Sequence, residues 1–383
     1  MQKLKYILNA YLALFIYIFS RRKKDIWLIG GHNGMLYTDN AKVLYEYILE
    51  RDRDIEIYWI VDRKSPLIDE IKGEKIIKGS IKNYLYFYHS RANLFSDTFN
   101  SDIAPFAYIL PCVRFIYFRR FKVFLNHGRV AFKRVPKFPY PIQKIKDSIY
   151  RSYNLAVAST ELEKIAMVDY GLEDRDIVIL GSARDDMLFN IELERGDILI
   201  APSWRGWLFH NDTLVGSKFY KNYTDLLSNK RLNSYLKRNN IYINFYLHHM
   251  FHKFYKELSE YKSDMITILE PKADISRYIR GSKMLITDYS SLSADFYYLK
   301  KPVIFFQFDR ERYIREIGSY IDLERDSFGD VAFSVDEVVD RVIDTIEGNY
   351  RVSSLQREGE KLFINFIDRD NCKRVYNKIR EKI

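Results

Sequence analysis

The chain has 383 residues, a length that excludes a single compact core and suits two domains of ordinary size. Hydrophobic residues make up 47% of it, with 31 Tyr and 26 Phe, which argues against intrinsic disorder, and its two cysteines lack the spacing of a zinc site or a disulfide framework. The formal net charge of +10 indicates an anionic partner: nucleic acid, a membrane surface or a phosphorylated substrate.

The N-terminal segment combines an apolar run with a basic cluster. Residues Tyr6 to Phe19 are nearly all apolar, broken by Asn9, and residues 21–24 read Arg-Arg-Lys-Lys. The run is too short to span a bilayer comfortably and lacks the cleavage site of a secretory signal. Residues 1–24 are therefore predicted to form a membrane-associating helix, held by anionic headgroups, on a peripheral protein at the cytoplasmic face of the cell membrane. The alternative is a helix that packs on the protein's own core.

Beyond residue 24, hydrophobic runs alternate with amphipathic stretches. The runs are short, β-branched or aromatic, and do not alternate cleanly, which is typical of parallel strands buried on both faces. Strands are predicted at Asp25–Gly30, Ile55–Val61, Ala92–Phe95, Val123–Asn126, Leu155–Ala158, Ile177–Leu180, Ile198–Ala201, Ile241–Leu247, Met265–Leu269, Met284–Thr287 and Val303–Phe306, and helices at Ala41–Glu50, Leu162–Tyr170 and Ala294–Leu299. This order predicts an α/β fold in two halves, residues 25–190 and 195–383, with a polar linker at Asn190–Asp197.

In open α/β sheets, ligands bind beyond the carboxyl ends of the strands, so the residues that follow each predicted strand are candidates for function. His127 offers a general base near neutral pH, and Gly128 allows a substrate to approach the backbone closely. Arg129, in the same turn, is a further substrate-binding candidate. The alternative for His127 is a structural residue with satisfied hydrogen bonds.

Two later strand ends carry cations and an aromatic ring. Arg184 has the geometry for paired hydrogen bonds to phosphate, and a salt bridge with Asp185 or Asp186 is the alternative. Trp204 offers a stacking face for a base or ribose, with core packing as the alternative, and Arg205 offers a second cation.

The last two candidate turns carry imidazoles and hydroxyls. His248 and His249 follow a strand, but with His252 they do not have convincing metal spacing. Ser290 and Ser291 lie where a strand turns into a helix, so unpaired backbone N–H groups and the helix dipole favour a phosphate there. The alternative is that these serines only cap the helix.

Familiar cofactor and metal motifs are missing from the sequence. It contains no GxGxxG fingerprint, no P-loop Lys and no DxD pair suited to a divalent metal, and neither a metal nor a cofactor is predicted. The His, Arg and Ser-Ser turns together predict a cleft for a phosphate-bearing nucleotide substrate. Because the positive charge is spread along the chain without a recognised module, no nucleic-acid partner is predicted.

In these residues the chain resembles the CDP-glycerol glycerophosphotransferase family, which makes teichoic acids and related capsule polymers. The resemblance runs from about Phe121 to Ile321, and Tyr37-Thr38-Asp39-Asn40 is also similar to N-terminal segments of capsule-type members. It rests on five motifs in order: Asn126-His127-Gly128, Gly181-Ser182-Ala183-Arg184-Asp185-Asp186, Pro202-Ser203-Trp204-Arg205, Leu247-His248, and Thr287-Asp288-Tyr289-Ser290-Ser291 with Asp295.

The resemblance implies a GT-B-like fold, with two Rossmann-like domains and a cleft between them. Residues 25–190 would form the acceptor-side domain and residues 195–383 the nucleotide-binding domain. The residues that match the family's CDP-glycerol contacts are His127, Gly128, Arg184, Ser203, Trp204, Ser290, Ser291 and Asp295, and those that match its essential histidines are His127 and His248.

Three positions depart from the family's pattern. The loop after Gly128 lacks the Thr-Pro often seen there. The choice between glycerol and ribitol as the donor's polyol therefore stays open. Ser203 replaces the usual Thr. His249 stands where Pro or Tyr is common, so His249 is an alternative to His248 as the active imidazole.

The implied reaction transfers a polyol phosphate, with glycerol phosphate preferred, from CDP-glycerol or CDP-ribitol to a hydroxyl of a membrane-linked polyprenyl-diphosphate glycan or polymer, releasing CMP. His127 is expected to act as the base and His248 to stabilise or protonate the departing phosphate, although the sequence does not fix which does which. Asp295 would hold the polyol or fix an imidazole tautomer.

Two alternatives stay open: a GT-B glycosyltransferase that uses a nucleotide sugar, and a non-catalytic membrane-surface protein that binds anionic glycolipid. The modest length suggests a catalytic unit without large extra domains.

Overall fold

The computed structural model describes residues 2–21, 25–129, 132–135, 138–189, 196–209, 214–271, 273–326 and 329–383, without the side chains of residues 209, 249, 355 and 359–361. Its strands are β1 (Asp25–Gly30), β2 (Ile55–Val61), β3 (Lys75–Ile77), β4 (Ala92–Phe95), β5 (Phe121–Phe124), β6 (Leu155–Ala158), β7 (Ile177–Ile179), β8 (Ile198–Ile200), β9 (Ile243–Phe245), β10 (Ile266–Ile268), β11 (Met284–Thr287), β12 (Val303–Phe306) and β13 (Asp330–Ala332). Its helices are α1 (Gln2–Phe19), α2 (Asp39–Arg51), α3 (Ile81–His89), α4 (Phe99–Asp102), α5 (Val113–Arg119), α6 (Tyr140–Tyr150), α7 (Glu161–Tyr170), α8 (Gly206–Phe209), α9 (Lys218–Leu227), α10 (Lys230–Asn239), α11 (Tyr255–Ser259), α12 (Ile275–Gly281), α13 (Leu292–Tyr298), α14 (Arg310–Glu316), α15 (Val335–Glu347), α16 (Ser354–Phe363) and α17 (Asn371–Lys382).

The first compact unit comprises Met1–Arg129, Val135–Met187 and Asp368–Ile383. Its described strands form one parallel sheet in the order β3-β2-β1-β4-β5-β6-β7. Both faces of this sheet are buried, because Ile26 and Leu28 join one hydrophobic cluster while Trp27 and Ile29 join another. Burial on both sides explains why the strand sequences do not alternate. Strand order reverses between β1 and β4, which is where open α/β sheets bind ligands.

The second compact unit comprises Val130–Arg134 and Leu188–Ile367. Its described strands form a parallel sheet in the order β10-β9-β8-β11-β12-β13. The order reverses between β8 and β11, which makes the carboxyl ends of these two strands the expected ligand position of this unit. The α/β architecture with two parallel sheets is therefore confirmed.

Away from the boundary near residue 190, the two units differ from the predicted domains in two segments: residues 130–134, predicted in the first half, belong to the second unit, and residues 368–383, predicted in the second half, belong to the first. The sequence assigned the C-terminal residues to the second half, whereas α17 packs in the first unit. Cys372, Val375 and Ile379 are buried there in the same cluster as Leu44 of α2. Most of the predicted linker, residues 190–195, lies outside the described residues.

Helix α1 packs one face on the first unit. Asn9, the polar break in the apolar run, donates from Nδ2 to the carbonyl of Gly79 at 2.8 Å, and the Tyr88 hydroxyl donates to the carbonyl of Ala10 at 2.8 Å. The alternative of a helix that packs on the protein's own core is thus confirmed for this face. The opposite face leaves large apolar side chains exposed, among them Leu4, Leu8, Leu12, Phe15 and Phe19. Among the described helices, none is long and apolar enough to cross a membrane.

Candidate functional site

His127 follows β5 at the carboxyl edge of the first sheet. Its Nδ1 lies 2.8 Å from Oδ1 of Asp97, a residue that follows the neighbouring strand β4. The imidazole side chain is 53% exposed, so the ring is held at one nitrogen yet accessible. A carboxylate that holds Nδ1 fixes the orientation and the tautomer of an imidazole, an arrangement suited to general base catalysis through Nε2.

The Asp97–His127 pair shifts both pKa values in the directions expected for an ion pair. The hydrogen bond that His127 donates to Asp97 raises the pKa of His127 to about 9, against the opposing effect of burial. Burial raises the pKa of Asp97, but the hydrogen bond and the charge of His127 outweigh it, and the net pKa lies below the usual range. The pair is therefore charged at neutral pH, and His127 must lose its proton before it can act as a base.

A second imidazole lies beside His127. The rings of His32 and His127 pack edge to face with centroids 5.9 Å apart, and Nε2 of His32 lies 3.8 Å from Oδ2 of Asp39. Burial lowers the pKa of His32, but Asp39 and Asp97 outweigh this effect and the net pKa is raised. Neither Asp97 nor His32 was among the candidates from the sequence, although each lies two residues after the end of a strand, where open α/β sheets bind ligands.

The backbone around His127 is held in an unusual conformation. Asn126 has a φ of 58°, in the left-handed region. Its Nδ2 donates to the carbonyl of Gly128 at 2.8 Å and to Oε1 of the buried Glu163 at 2.6 Å. Among the described residues, a Cβ placed on Gly128 would meet nothing within 4 Å. These bonds fix the direction in which the turn presents His127.

The two arginines predicted in the first unit lie in different environments. Arg129 is buried, and its guanidinium binds the carboxylate of Asp185. Nε of Arg184 lies 3.6 Å from Oδ1 of Asp39, and its guanidinium keeps some exposure. Asp186 accepts from the backbone N–H of Cys372 at 2.8 Å. Arg184 is thus the more accessible cation of the two.

In the second unit, the predicted serines lie at the carboxyl ends of β8 and β11, where strand order reverses. The backbone N–H of Ser203 donates to Oδ1 of Asp288 at 2.9 Å, which ties these two strand ends together. Oγ of Ser290 accepts from the N–H of Leu292 at 3.3 Å, as a capping residue would, whereas Ser291 makes no side-chain cap bond. Asp295, on the first turns of α13, is buried.

Arg205 was predicted as a cation available to substrate, and the structure corrects this expectation. Its side chain is 0% exposed and binds Oδ2 of Asp288 at 2.8 Å and Oδ2 of Asp309 at 2.7 Å. Its Nη1 also donates to Oγ and the carbonyl of Ser203, each at 2.9 Å. Because its charge is neutralised inside the unit, Arg205 holds the Ser203 turn in place.

Trp204 and His248 lie against each other. Their rings stack at 29° with centroids 6.3 Å apart, and Nζ of Lys133 lies 5.0 Å from the centre of the Trp204 ring. Nδ1 of His248 accepts from the N–H of Met250 at 3.3 Å, which in a neutral ring puts the proton on Nε2. The side chain of His249 lies outside what the structure describes, so the choice between the two histidines stays a prediction.

Comparisons with known proteins agree with this architecture. The CDP-Glycerol:Poly(glycerophosphate) glycerophosphotransferase family matches residues 12–381. The chain is similar to the minor teichoic acid biosynthesis protein GgaB of Bacillus subtilis, with 27% identity over 383 residues that cover 95% of this chain and 40% of the relative. It is also similar to a teichoic acid glycerol-phosphate transferase of Staphylococcus aureus, with 23% identity over 344 residues and 83% of each chain covered.

The fold is similar to that of the wall teichoic acid polymerase TagF, in a variant soaked with CDPG: the TM-score is 0.72 at 17% identity, and the match covers 99% of this chain and 96% of that one. The chain spans between 40% and 48% of the length of five of the curated relatives that it matches. Since the family match extends over nearly the whole chain, this protein, with its GT-B-like fold of two parallel sheets, belongs to the CDP-glycerol:poly(glycerophosphate) glycerophosphotransferase family.

Proposed function

We propose that this chain transfers a polyol phosphate, with glycerol phosphate preferred over ribitol phosphate, from a CDP-activated donor to a hydroxyl of a membrane-linked acceptor. CMP is the second product, and the acceptor is a polyprenyl-diphosphate glycan or a growing polymer of the teichoic acid or capsule type. The observation that carries the proposal is the Asp97–His127 pair at a strand end of a chain that belongs to a glycerophosphotransferase family.

In the proposed step, the oxygen of the acceptor hydroxyl attacks the phosphorus that bears the polyol. A new P–O bond forms to the acceptor, the P–O bond to CMP breaks, and the hydroxyl proton passes to Nε2 of His127. Asp97 stabilises the imidazolium that results, as a carboxylate does for a catalytic histidine elsewhere. Positioning and charge neutralisation account for most of the catalysis of phosphoryl transfer, which fits a site built from held turns.

The donor contacts are proposed on the second unit. Trp204 offers its ring to the cytosine or ribose, and the hydroxyls of Ser203, Ser290 and Ser291 are expected to bind phosphate oxygens. His248 carries its proton on Nε2 when neutral, so it can donate a hydrogen bond to the departing phosphate. In the first unit, Arg184 is the proposed phosphate-binding cation, and its partial exposure supports this role.

We also propose that helix α1 associates with the cytoplasmic face of the membrane as part of a peripheral protein. Its exposed apolar side chains, such as Leu8 and Phe15, lie opposite the face that packs on the first unit. Lys3, Lys5 and Arg21 flank this apolar surface with positive charge, which favours anionic headgroups.

The experiment that tests the proposed reaction compares three donors with the same membrane-lipid acceptor: CDP-glycerol, CDP-ribitol and UDP-GlcNAc. Release of CMP from one of the CDP-polyols, without release of UDP, is expected and also identifies the polyol. Release of UDP alone would replace the proposal with the nucleotide-sugar glycosyltransferase. Binding of anionic glycolipid vesicles without turnover of any donor would favour the non-catalytic binding protein.

A further inference from the structure

Asn40, at the start of α2, uses its whole side-chain amide inside the first unit. It is 4% exposed. Its Nδ2 donates to the carbonyl of Leu125 at 3.2 Å and to that of Asn126 at 3.0 Å. Its Oδ1 accepts from Oγ of Ser182 at 2.7 Å and from the backbone N–H of Arg184 at 3.0 Å. An asparagine side chain has two donor and two acceptor positions, so all four are occupied.

The segments that Asn40 ties together are two of the turns that carry candidate functional residues. One ends at Asn126, directly before His127, and the other contains Arg184. Asn126 needs support from its surroundings, because its backbone lies in the left-handed region at a φ of 58°. Its own side chain binds Gly128 and Glu163, and Asn40 holds its carbonyl from the other side.

We propose that Asn40 is a positioning residue, which fixes the turn that presents His127 and the turn that presents Arg184 with respect to each other. The inference rests on the proposed function, in which His127 is the base and Arg184 binds phosphate. The hydrogen bonds of Asn40 reach the backbone of both turns and the hydroxyl of Ser182, so its effect on His127 and Arg184 is transmitted through these turns. This role also accounts for the Tyr37-Thr38-Asp39-Asn40 segment, to which the proposed transfer reaction assigns no other function.

A second buried asparagine of the same unit separates positioning from ordinary stability. Asn83 is 0% exposed, donates from Nδ2 to the carbonyl of Ile103 at 3.0 Å, and accepts from the N–H of Gly79 at 2.8 Å. It has the same amide chemistry as Asn40, but neither of its partners, Gly79 and Ile103, lies in the turn of His127 or in the turn of Arg184. Asn83→Ala is therefore the matched control for Asn40→Ala.

The titration of His127 reports the geometry of its turn without any need for activity. The charged groups that act on this imidazole are Asp97, His32 and Asp39, and Asn40→Ala alters none of these charges. The pKa of about 9 depends first on the hydrogen bond between His127 and Asp97. If the turn loosens, this bond weakens, and the pKa of His127 falls toward its ordinary value near 6.5.

The test measures the His127 titration by NMR and the kinetics of CMP release, for wild type, Asn40→Ala and Asn83→Ala. Asn40→Ala is expected to lower the pKa of His127 and to reduce kcat about 10- to 100-fold, because small displacements of a catalytic group have effects of this size, while KM for the donor changes less. Asn83→Ala should lower the melting temperature but leave the titration and kcat near the wild-type values.

Two results would overturn the inference: a His127 titration in Asn40→Ala that matches wild type, or equal changes in both variants. If wild-type protein releases no CMP from any CDP-polyol, the proposed function fails, but the NMR titration still decides whether Asn40 positions His127. The two failures are therefore distinguishable.

Discussion

Charged side chains at the strand ends of this protein divide into accessible and enclosed groups. His127 is half exposed and pairs with one carboxylate, whereas Arg205 is completely enclosed between Asp288 and Asp309. In the sequence both are simply cationic residues that follow a hydrophobic run. Local sequence identifies such positions, but which of them is neutralised depends on carboxylates from other strands.

The burial of Arg205 between two carboxylates predicts how its loss changes the free energy of unfolding. Arg205→Met should lower the free energy of unfolding by about 3–5 kcal/mol, because it leaves the carboxylates of Asp288 and Asp309 buried without their partner. Urea unfolding of the purified protein measures this difference. Arg231→Met, which breaks an exposed pair with Asp340, is the control and should cost about 1 kcal/mol or less. Similar losses in both variants would contradict the assignment of Arg205 to a buried network.

The sequence located most of the candidate residues but not their supports. His127, Arg184, Trp204 and Ser290 became candidates because each lies in the turn after a strand that the hydrophobic runs predicted. Asn40 could not be assigned a role, because its four hydrogen bonds reach residues 85 to 144 positions away. Asp97 was missed although it follows β4, since a carboxylate needs a visible partner before it can be interpreted.

At the scale of elements, six central strands were predicted with the bounds that the structure shows, whereas β3 and β13, two of the four edge strands of the described sheets, were not predicted. β1, β2, β4, β6, β11 and β12 begin and end where the hydrophobic runs predicted, because burial on both faces requires a continuous apolar run. β3 and β13 lie at the edges of their sheets and have three residues each, with partly exposed side chains. β3 begins with Lys75 and β13 with Asp330, so their apolar runs are too short to distinguish from a loop, whereas the edge strands β7 and β10 lie within longer apolar runs and were predicted.

Helix α1 gives a prediction that separates its two faces. The double variant Leu8→Ser with Phe15→Ser removes apolar area from the exposed face only, and should weaken binding to vesicles that contain phosphatidylglycerol about 10-fold or more. The folded unit should keep its melting temperature, because neither side chain is buried. Vesicle co-sedimentation over a range of lipid concentrations measures the affinity.

The control for this experiment removes the same kind of surface elsewhere in the first unit. Ile165→Ser with Val168→Ser takes two exposed apolar side chains from α7. This pair should bind vesicles as wild type does. Membrane association through α1 would be refuted if the α1 variant kept full affinity, or if the α7 variant lost as much.

At the scale of the whole molecule, the α/β architecture could be predicted from the sequence. The assignment of the C-terminal helix α17 to the first unit could not. Hydrophobic runs separated by amphipathic stretches indicate two parallel sheets. The return of α17 to the first unit depends on three buried side chains, Cys372, Val375 and Ile379, which fit the cluster around α2. An amphipathic helix carries no local sign of which unit will bury it, so sequence order alone assigned it to the second half.

The central claim is that this chain releases CMP from a CDP-polyol with His127 as the base, oriented by Asp97. Its most direct test measures CMP release as a function of pH for wild type, His127→Gln and Asp97→Asn, with a membrane-lipid acceptor. The base form of His127 accumulates as pH rises, so wild-type kcat/KM should increase up to a pKa of about 9. His127→Gln should lose about 100-fold or more in kcat, and Asp97→Asn should lose activity while its rising limb shifts toward pH 6.5. Turnover by His127→Gln at close to the wild-type rate, with the same pH profile, would contradict the account.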